Sequence, residues 1–226
     1  MGFIVKNTTF FSPLSLFCPD TCRCCGALGS VLCECCKNYI LDEHINLCVH
    51  CKRPIFSNSC ESCMPLVPTF MVGRRNSLVG QLVEEYKYNS VRVLGKCLAE
   101  LLDGVLPFFD GPVAVVPLPT ISRHIRERGI DHTLVIAKRL ARLRHWRVER
   151  ILVRQHNSVQ VGSSETARVR QAFSAYGVKD STKIDPSVTY LLLDDVWTTG
   201  ASMKAATRKL REAGALKISI AVLAVS

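Results

Sequence analysis

The stretch Val188–Ser202, Val-Thr-Tyr-Leu-Leu-Leu-Asp-Asp-Val-Trp-Thr-Thr-Gly-Ala-Ser, restricts the fold of this chain more than any other. Its apolar and β-branched run, Val188 to Leu193, suits a strand buried on both faces. Asp194 and Asp195 are expected to end that strand. Thr198, Thr199, Gly200, Ala201 and Ser202 form a hydroxyl-rich turn, and Met203 to Ala213 reads as a helix stopped by Gly214. A strand–turn–helix of this kind aims backbone N–H groups and the positive helix end at one place, which suits a phosphate. Carboxylates at the strand end can accept hydrogen bonds from sugar hydroxyls. The plainer alternative is a strand that merely ends in two acids, followed by an ordinary helix cap.

The apolar run, the two acids and the turn occur in register, and the combination resembles the PRPP-binding motif of type I phosphoribosyltransferases. That resemblance implies an α/β fold with a mostly parallel sheet flanked by helices. It places the 5-phosphate in Thr198–Ser202, ribose hydroxyls on Asp194 and Asp195, and Mg²⁺ on the pyrophosphate. Purine-salvage enzymes of this type use an aspartate on the base nitrogen where this chain has Thr198. A hypoxanthine or guanine acceptor is therefore not expected, and no general base is visible.

Cysteine placement divides the chain. Eleven of its twelve cysteines precede residue 64, and they contain four Cys-x-x-Cys pairs: Cys22/Cys25, Cys33/Cys36, Cys48/Cys51 and Cys60/Cys63. Such a turn lets two thiolates share one tetrahedral ion, so two pairs complete a structural zinc site and four allow two. Short gaps favour the first pair with the second and the third with the fourth, with interleaving left open. Disulfides would need an oxidising compartment, which nothing else in the sequence supports. We therefore expect a zinc-binding module over 14–64, too small to fold without metal, and an α/β domain over 65–226. No apolar run is long enough to span a bilayer, and the N-terminus makes a weak signal peptide interrupted by Pro13; a cytoplasmic location is expected.

The formal charge of +10 lies wholly beyond residue 63. Residues 120–170 hold twelve Lys/Arg against four Asp/Glu, suiting polyphosphate, nucleic acid or simply a solvated basic surface.

Along the chain, Thr69–Val72 reads as a strand, Leu78–Tyr88 and Val91–Leu106 as helices, and Val113–Pro119 as a buried strand ended by prolines. Pro117 and Leu118 thus stand where ligand loops leave such sheets. Lys87 falls in the break between the helices, where it either reaches a ligand phosphate or is simply solvated. A helix over about 131–144 carries Ile136, Ala137, Leu140 and Leu143 on its apolar face, and Lys138, Arg139 and Arg142 on a basic one. Those three are the candidate nucleic-acid contacts, with Trp146, His145 and His156 the only stacking candidates nearby. Val148–Val153 reads as one strand, 154–170 as a loop or loosely packed helix, and Lys217–Val225 as the last strand.

The cysteine pairs, Val115-Val116-Pro117-Leu118-Pro119, Arg126-Glu127-Arg128-Gly129, Gln160, Arg168, Phe173 and Asp194-Asp195…Thr198-Thr199-Gly200 follow one order. That order resembles the ComF family of natural-competence proteins, a zinc-binding N-terminus joined to a phosphoribosyltransferase-type domain. The resemblance implies a role in handling incoming single-stranded DNA, with competence proteins as partners and a poorly defined reaction. Arg123, Arg126 and Arg128 become candidates to neutralise the leaving pyrophosphate. Two departures stand out: Ile130-Asp131-His132 replaces the usual Phe-Asn-Gln, and Asn157 stands where threonine is common.

Overall fold

The computed structural model describes residues 20–43, 67–88, 93–154, 176–179 and 182–226. Five strands form a sheet whose neighbours all run parallel, in the order β1 (Thr69–Arg74), β7 (Lys217–Val225), β6 (Thr189–Trp197), β2 (Val113–Pro117), β3 (Arg147–Val148). Parallel strands need crossovers that cover both faces, so their sequences read as continuous apolar runs. β2 is buried at every position and β7 from Ile218 onward.

Alternate strand residues supply two cores. Val72, Val115, Leu191, Leu193 and Leu223 pack under helices α2 (Leu78–Tyr88), α3 (Leu94–Val105) and α5 (His132–Arg144). Met71, Val116, Tyr190, Leu192 and Val222 face α6 (Ala201–Glu212) and a two-stranded antiparallel sheet of β4 (Leu152–Arg154) with β5 (Tyr176–Val178). After β2 the chain enters α4 (Ser122–Arg128) and α5, and α5 packs on the first face. After β6 it enters α6 on the second. Adjacent strands whose continuations leave to opposite faces open a crevice at their carboxyl ends.

Several expected boundaries move. The acids lie inside β6 rather than at its end. Pairing with β2 stops at Pro117↔Leu193, whereas pairing with β7 continues to Trp197↔Val225. Leu118 N–H still reaches the Leu193 carbonyl at 2.9 Å; the next residue is a proline and ends the ladder. One flank of Asp194 and Asp195 is thereby left open. The strand expected over Val148–Val153 splits in two, β3 joining the large sheet and β4 the two-stranded one. Leu143, expected on the apolar face of α5, is 45% exposed.

The described part of the cysteine-rich region is anchored to this domain. Helix α1 (Glu34–Asp42) follows Cys33, and Cys22, Val31, Leu32 and Ile40 join the core beneath α2 and α3. Lys37 pairs with Glu100 of α3 at 2.8 Å, and Arg23 with Glu85 of α2 at 3.7 Å. Leu41 lies so close to Gly104 that a Cβ there would meet its methyls at 2.8 Å.

Candidate functional site

The crevice at the ends of β2 and β6 is a cavity of about 220 Å³ lined by Lys87, Leu118, Pro119, Thr120, Ile121, His124, Arg128, His132, Thr133, Arg154, Asp194 and Asp195. Strand alternation turns the two carboxylates to opposite faces of the sheet. Lys87, in the last turn of α2, meets Asp195 at 2.9 Å, with only 12% and 15% of the two side chains exposed. Lys87 is therefore a buried ion-pair partner, not the solvated lysine that the sequence also allowed. Asp194 accepts the Asp195 backbone N–H at 2.9 Å. Burial, and then the charge of Asp195, pushes the Asp194 carboxyl up to about 8, with Lys87 and Arg154 pulling the other way.

On the opposite wall Arg128 donates to the Tyr88 hydroxyl at 3.1 Å and lies 4.8 Å over that ring. Arg154 lies over the Tyr176 ring and donates to its hydroxyl at 3.3 Å, while its Nε is buried without a partner. His132, 2% exposed, opens α5; burial, then the Arg128 charge, holds it below the usual imidazole range. Of the arginines expected to face pyrophosphate, Arg128 reaches the cavity. Arg126 is exposed outside its lining, and Arg123 pairs with Glu127 at 2.6 Å.

Pro117 and Leu118 are buried where β2 ends, and Leu118 lines the cavity. The turn Thr198–Ser202 follows directly on β6 and is not among the lining residues. Thr198 and Thr199 are exposed, and Thr199 Oγ1 accepts the Ala201 N–H at 3.4 Å. Gly200 caps α6 at φ +72°, and a Cβ there would stand 2.3 Å from the buried Trp197 ring. Gly200→Ala should therefore cost about 2–4 kcal/mol, from left-handed backbone strain plus overpacking. A denaturant melt checks this; a loss under about 1 kcal/mol would mean that the turn relaxes freely.

The cysteine pairs Cys22/Cys25 and Cys33/Cys36 converge as expected, all four sulfurs lying within 4.8 Å of one another. Cys25 and Cys33 sulfurs are 3.7 Å apart, close to the edge of about 3.8 Å that a tetrahedron of 2.3 Å zinc–sulfur bonds requires. Burial opposes the Cys22 thiolate, yet the backbone N–H groups of Cys33, Cys25 and Cys24 more than offset it and bring this thiol down to about 6. These cysteines fit a divalent metal ion. Cys48, Cys51, Cys60 and Cys63 lie outside the described residues, as do Gln160, Arg168 and Phe173.

In the basic segment Lys138 and Arg142 are exposed and Arg139 is half-buried. Trp146 is not a free stacking platform: its ring packs edge-on against Phe109 at 5.6 Å and lies under Arg144. Arg144 bonds the carbonyls of Asp103, Leu106 and Pro107, closing the end of α3. His156 lies outside the described residues.

The sequence signals no site role for His132 or Arg154. His132 stands out there only as a departure from the ComF pattern, and Arg154 only as the start of a loop.

Fold and site together define the class, an α/β domain on a parallel sheet with a crevice at its strand ends and four cysteines placed for one metal ion packed against it. Within that class the chain is similar to Competence protein F of Haemophilus influenzae, 24% identical over 223 residues that cover 88% of this chain and 94% of that protein. This relative bears out the resemblance to the ComF family. Solved structures that are similar include the allosteric regulatory enzyme of purine biosynthesis (TM-score 0.43, 17% identical) and glutamine PRPP amidotransferase from B. subtilis complexed with ADP and GMP (TM-score 0.41, 16% identical). Each match covers 62% of this chain and 30% of the other, so this chain spans under a third of their length. A hypoxanthine phosphoribosyltransferase from Staphylococcus aureus aligns with TM-score 0.34 at 14% identity, over 66% of this chain and 63% of that one. No family model matches the chain. Among the described residues no helix is long and apolar enough to cross a membrane.

Proposed function

We propose that this chain binds PRPP with Mg²⁺ at the ends of β2 and β6, as a ComF-like protein of the cytoplasm acting on single-stranded DNA during uptake. One observation carries the site: two adjacent carboxylates in a switch-point crevice, faced by Lys87, Arg128 and Arg154. A sugar phosphate needs both parts, acceptors for its hydroxyls and cations for its phosphates. Its 5-phosphate would sit on the Thr198–Ser202 turn, where the first N–H groups of α6 have no partner within the helix. Asp195 would accept ribose hydroxyls once Lys87 exchanges it for a ligand phosphate. Breaking the anomeric bond builds positive charge on the sugar and negative charge on pyrophosphate. The acid pair would favour the first and Arg128 the second. Mg²⁺ would supply charge neutralisation on the pyrophosphate. The eight paired cysteines would hold two zinc ions, in a module spanning 14–64 beside a domain spanning 65–226.

Calorimetric titration with PRPP and Mg²⁺ tests the site. Asp195→Asn should weaken binding at least tenfold, because charge-assisted hydrogen bonds are worth about 1.5–3 kcal/mol each. Unchanged affinity in a folded variant would remove Asp195 from the site. Pyrophosphate release on adding a base would identify a transferase; PRPP binding without release would identify a binding protein.

A further inference from the structure

Two buried polar atoms on residues of the crevice lining have no partner, Nε of Arg154, whose guanidinium is otherwise bonded to Tyr176, and Nδ1 of His132. This imidazole is 2% exposed, lines the cavity, and has no partner for Nδ1. Its backbone is held on several sides. Tyr86 packs edge-on against the ring at 4.7 Å and donates its hydroxyl to the His132 carbonyl at 3.4 Å. Asp131 caps α5, accepting the Leu134 N–H at 3.2 Å and the Thr120 hydroxyl at 3.1 Å. These contacts hold the residue in place at the start of α5. Buried polar atoms are nearly always paired, and an unpaired one destabilises the fold. A buried, partnerless nitrogen on a residue that lines the cavity suits a group that arrives with a ligand.

We propose that His132 is a ligand-reading residue, donating Nδ1–H to a phosphate oxygen on the pyrophosphate side of the ligand. The inference rests on the reading above, that the crevice takes a phosphorylated sugar. The choice of donor over acceptor follows from the surroundings. Lys87, Arg128 and Arg154, which line the same cavity, make an anionic oxygen the atom that best fills the place. A neutral imidazole adds direction there where a fourth cation would add only charge. A glutamine side chain also offers an N–H, so His132→Gln preserves the function that His132→Leu removes.

The metal-loaded full chain is titrated with magnesium pyrophosphate and, separately, with PRPP and Mg²⁺, while the imidazole ¹⁵N resonances are followed by NMR. Pyrophosphate should shift the His132 resonances, identified by their loss in His132→Gln. His132→Leu should weaken pyrophosphate binding at least tenfold and His132→Gln less than threefold. Unmoved His132 resonances at saturating pyrophosphate would overturn the proposal, as would parental affinity in a folded His132→Leu chain. Should His132→Leu fail to fold, the spectrum of the unsubstituted chain still decides. PRPP binding that depends on Asp195 while His132 stays silent sinks this inference and spares the proposed function. A His132 response to pyrophosphate with no binding of PRPP supports the phosphate-reading role and sinks the phosphoribosyl reading. No response to either ligand sinks both.

Discussion

Stripping the metal from the Cys22/Cys25/Cys33/Cys36 cluster should lower the melting temperature of the whole chain by about 10 °C or more. The segment 20–43 cannot hold itself together by burial. Ordering a residue's backbone costs about 1–2 kcal/mol, and its buried apolar side chains, Cys22, Val31, Leu32 and Ile40, return about 1.5–3 kcal/mol each at most. A structural zinc ion contributes about 10–16 kcal/mol in comparable small modules, at least as much as those four side chains supply together. The effect reaches the α/β domain because those four side chains belong to the core beneath α2 and α3. Unfolding the module would uncover that core and break Lys37–Glu100. Losing about 4–8 kcal/mol of burial corresponds to a change of that order in a chain of this size. Calorimetry with and without chelator, and on a Cys22→Ser/Cys25→Ser chain, measures it. An unchanged main transition would show that the module only leans on the domain.

Elements carried by periodicity were legible beforehand. Leu78–Tyr88 and Lys217–Val225 appear with the bounds read from their apolar spacing, because burial alone dictates those residues. The first two cysteine pairs were equally legible, since Cys-x-x-Cys is a local geometry that needs only a second pair nearby. Misread stretches share a cause: their structure depends on partners remote in sequence. Carboxylates look like strand breakers, yet Asp194 stays in β6 because β7 continues to pair with it after β2 has stopped. Lys87 meets Asp195 from a helix far earlier in the chain, and nothing local announces that contact. Helix α4 buries none of its seven residues, so it carries no apolar period to read. Arg154 joins the wall of the crevice at the end of β4, whose antiparallel partner β5 begins 22 residues further on at Tyr176, so nothing local in the sequence announces the pairing.

Replacing Asp194 by asparagine should make the protein more stable at pH 8 while weakening its ligand. In the fold this carboxyl is pushed up to about 8, by burial first and by Asp195 second, against about 3.9 in an unfolded chain. Between those two values the folded state holds a proton that the unfolded chain has released. Asp194 therefore contributes nothing below about pH 4, and stability falls as pH rises towards 8. Asparagine carries no charge to desolvate, and its carbonyl can still accept the Asp195 N–H that Asp194 accepts at 2.9 Å. A tenfold difference in acidity between the folded and unfolded states is worth about 1.4 kcal/mol at full linkage. Asp194 is only partly buried by surface area and faces a crevice open to solvent, so we expect a fraction of the full sum, about 1–3 kcal/mol, at pH 8. The gain should vanish by about pH 4. The difference between the two stability curves, measured by urea melts from pH 4 to 8, isolates this group from every other that titrates. PRPP affinity should fall at least tenfold in the same variant if the acid accepts a ribose hydroxyl. Opposite signs in the two measurements mark a side chain kept at a cost to the fold for the sake of its ligand. A variant that loses stability at pH 8 would instead make Asp194 a structural strand residue.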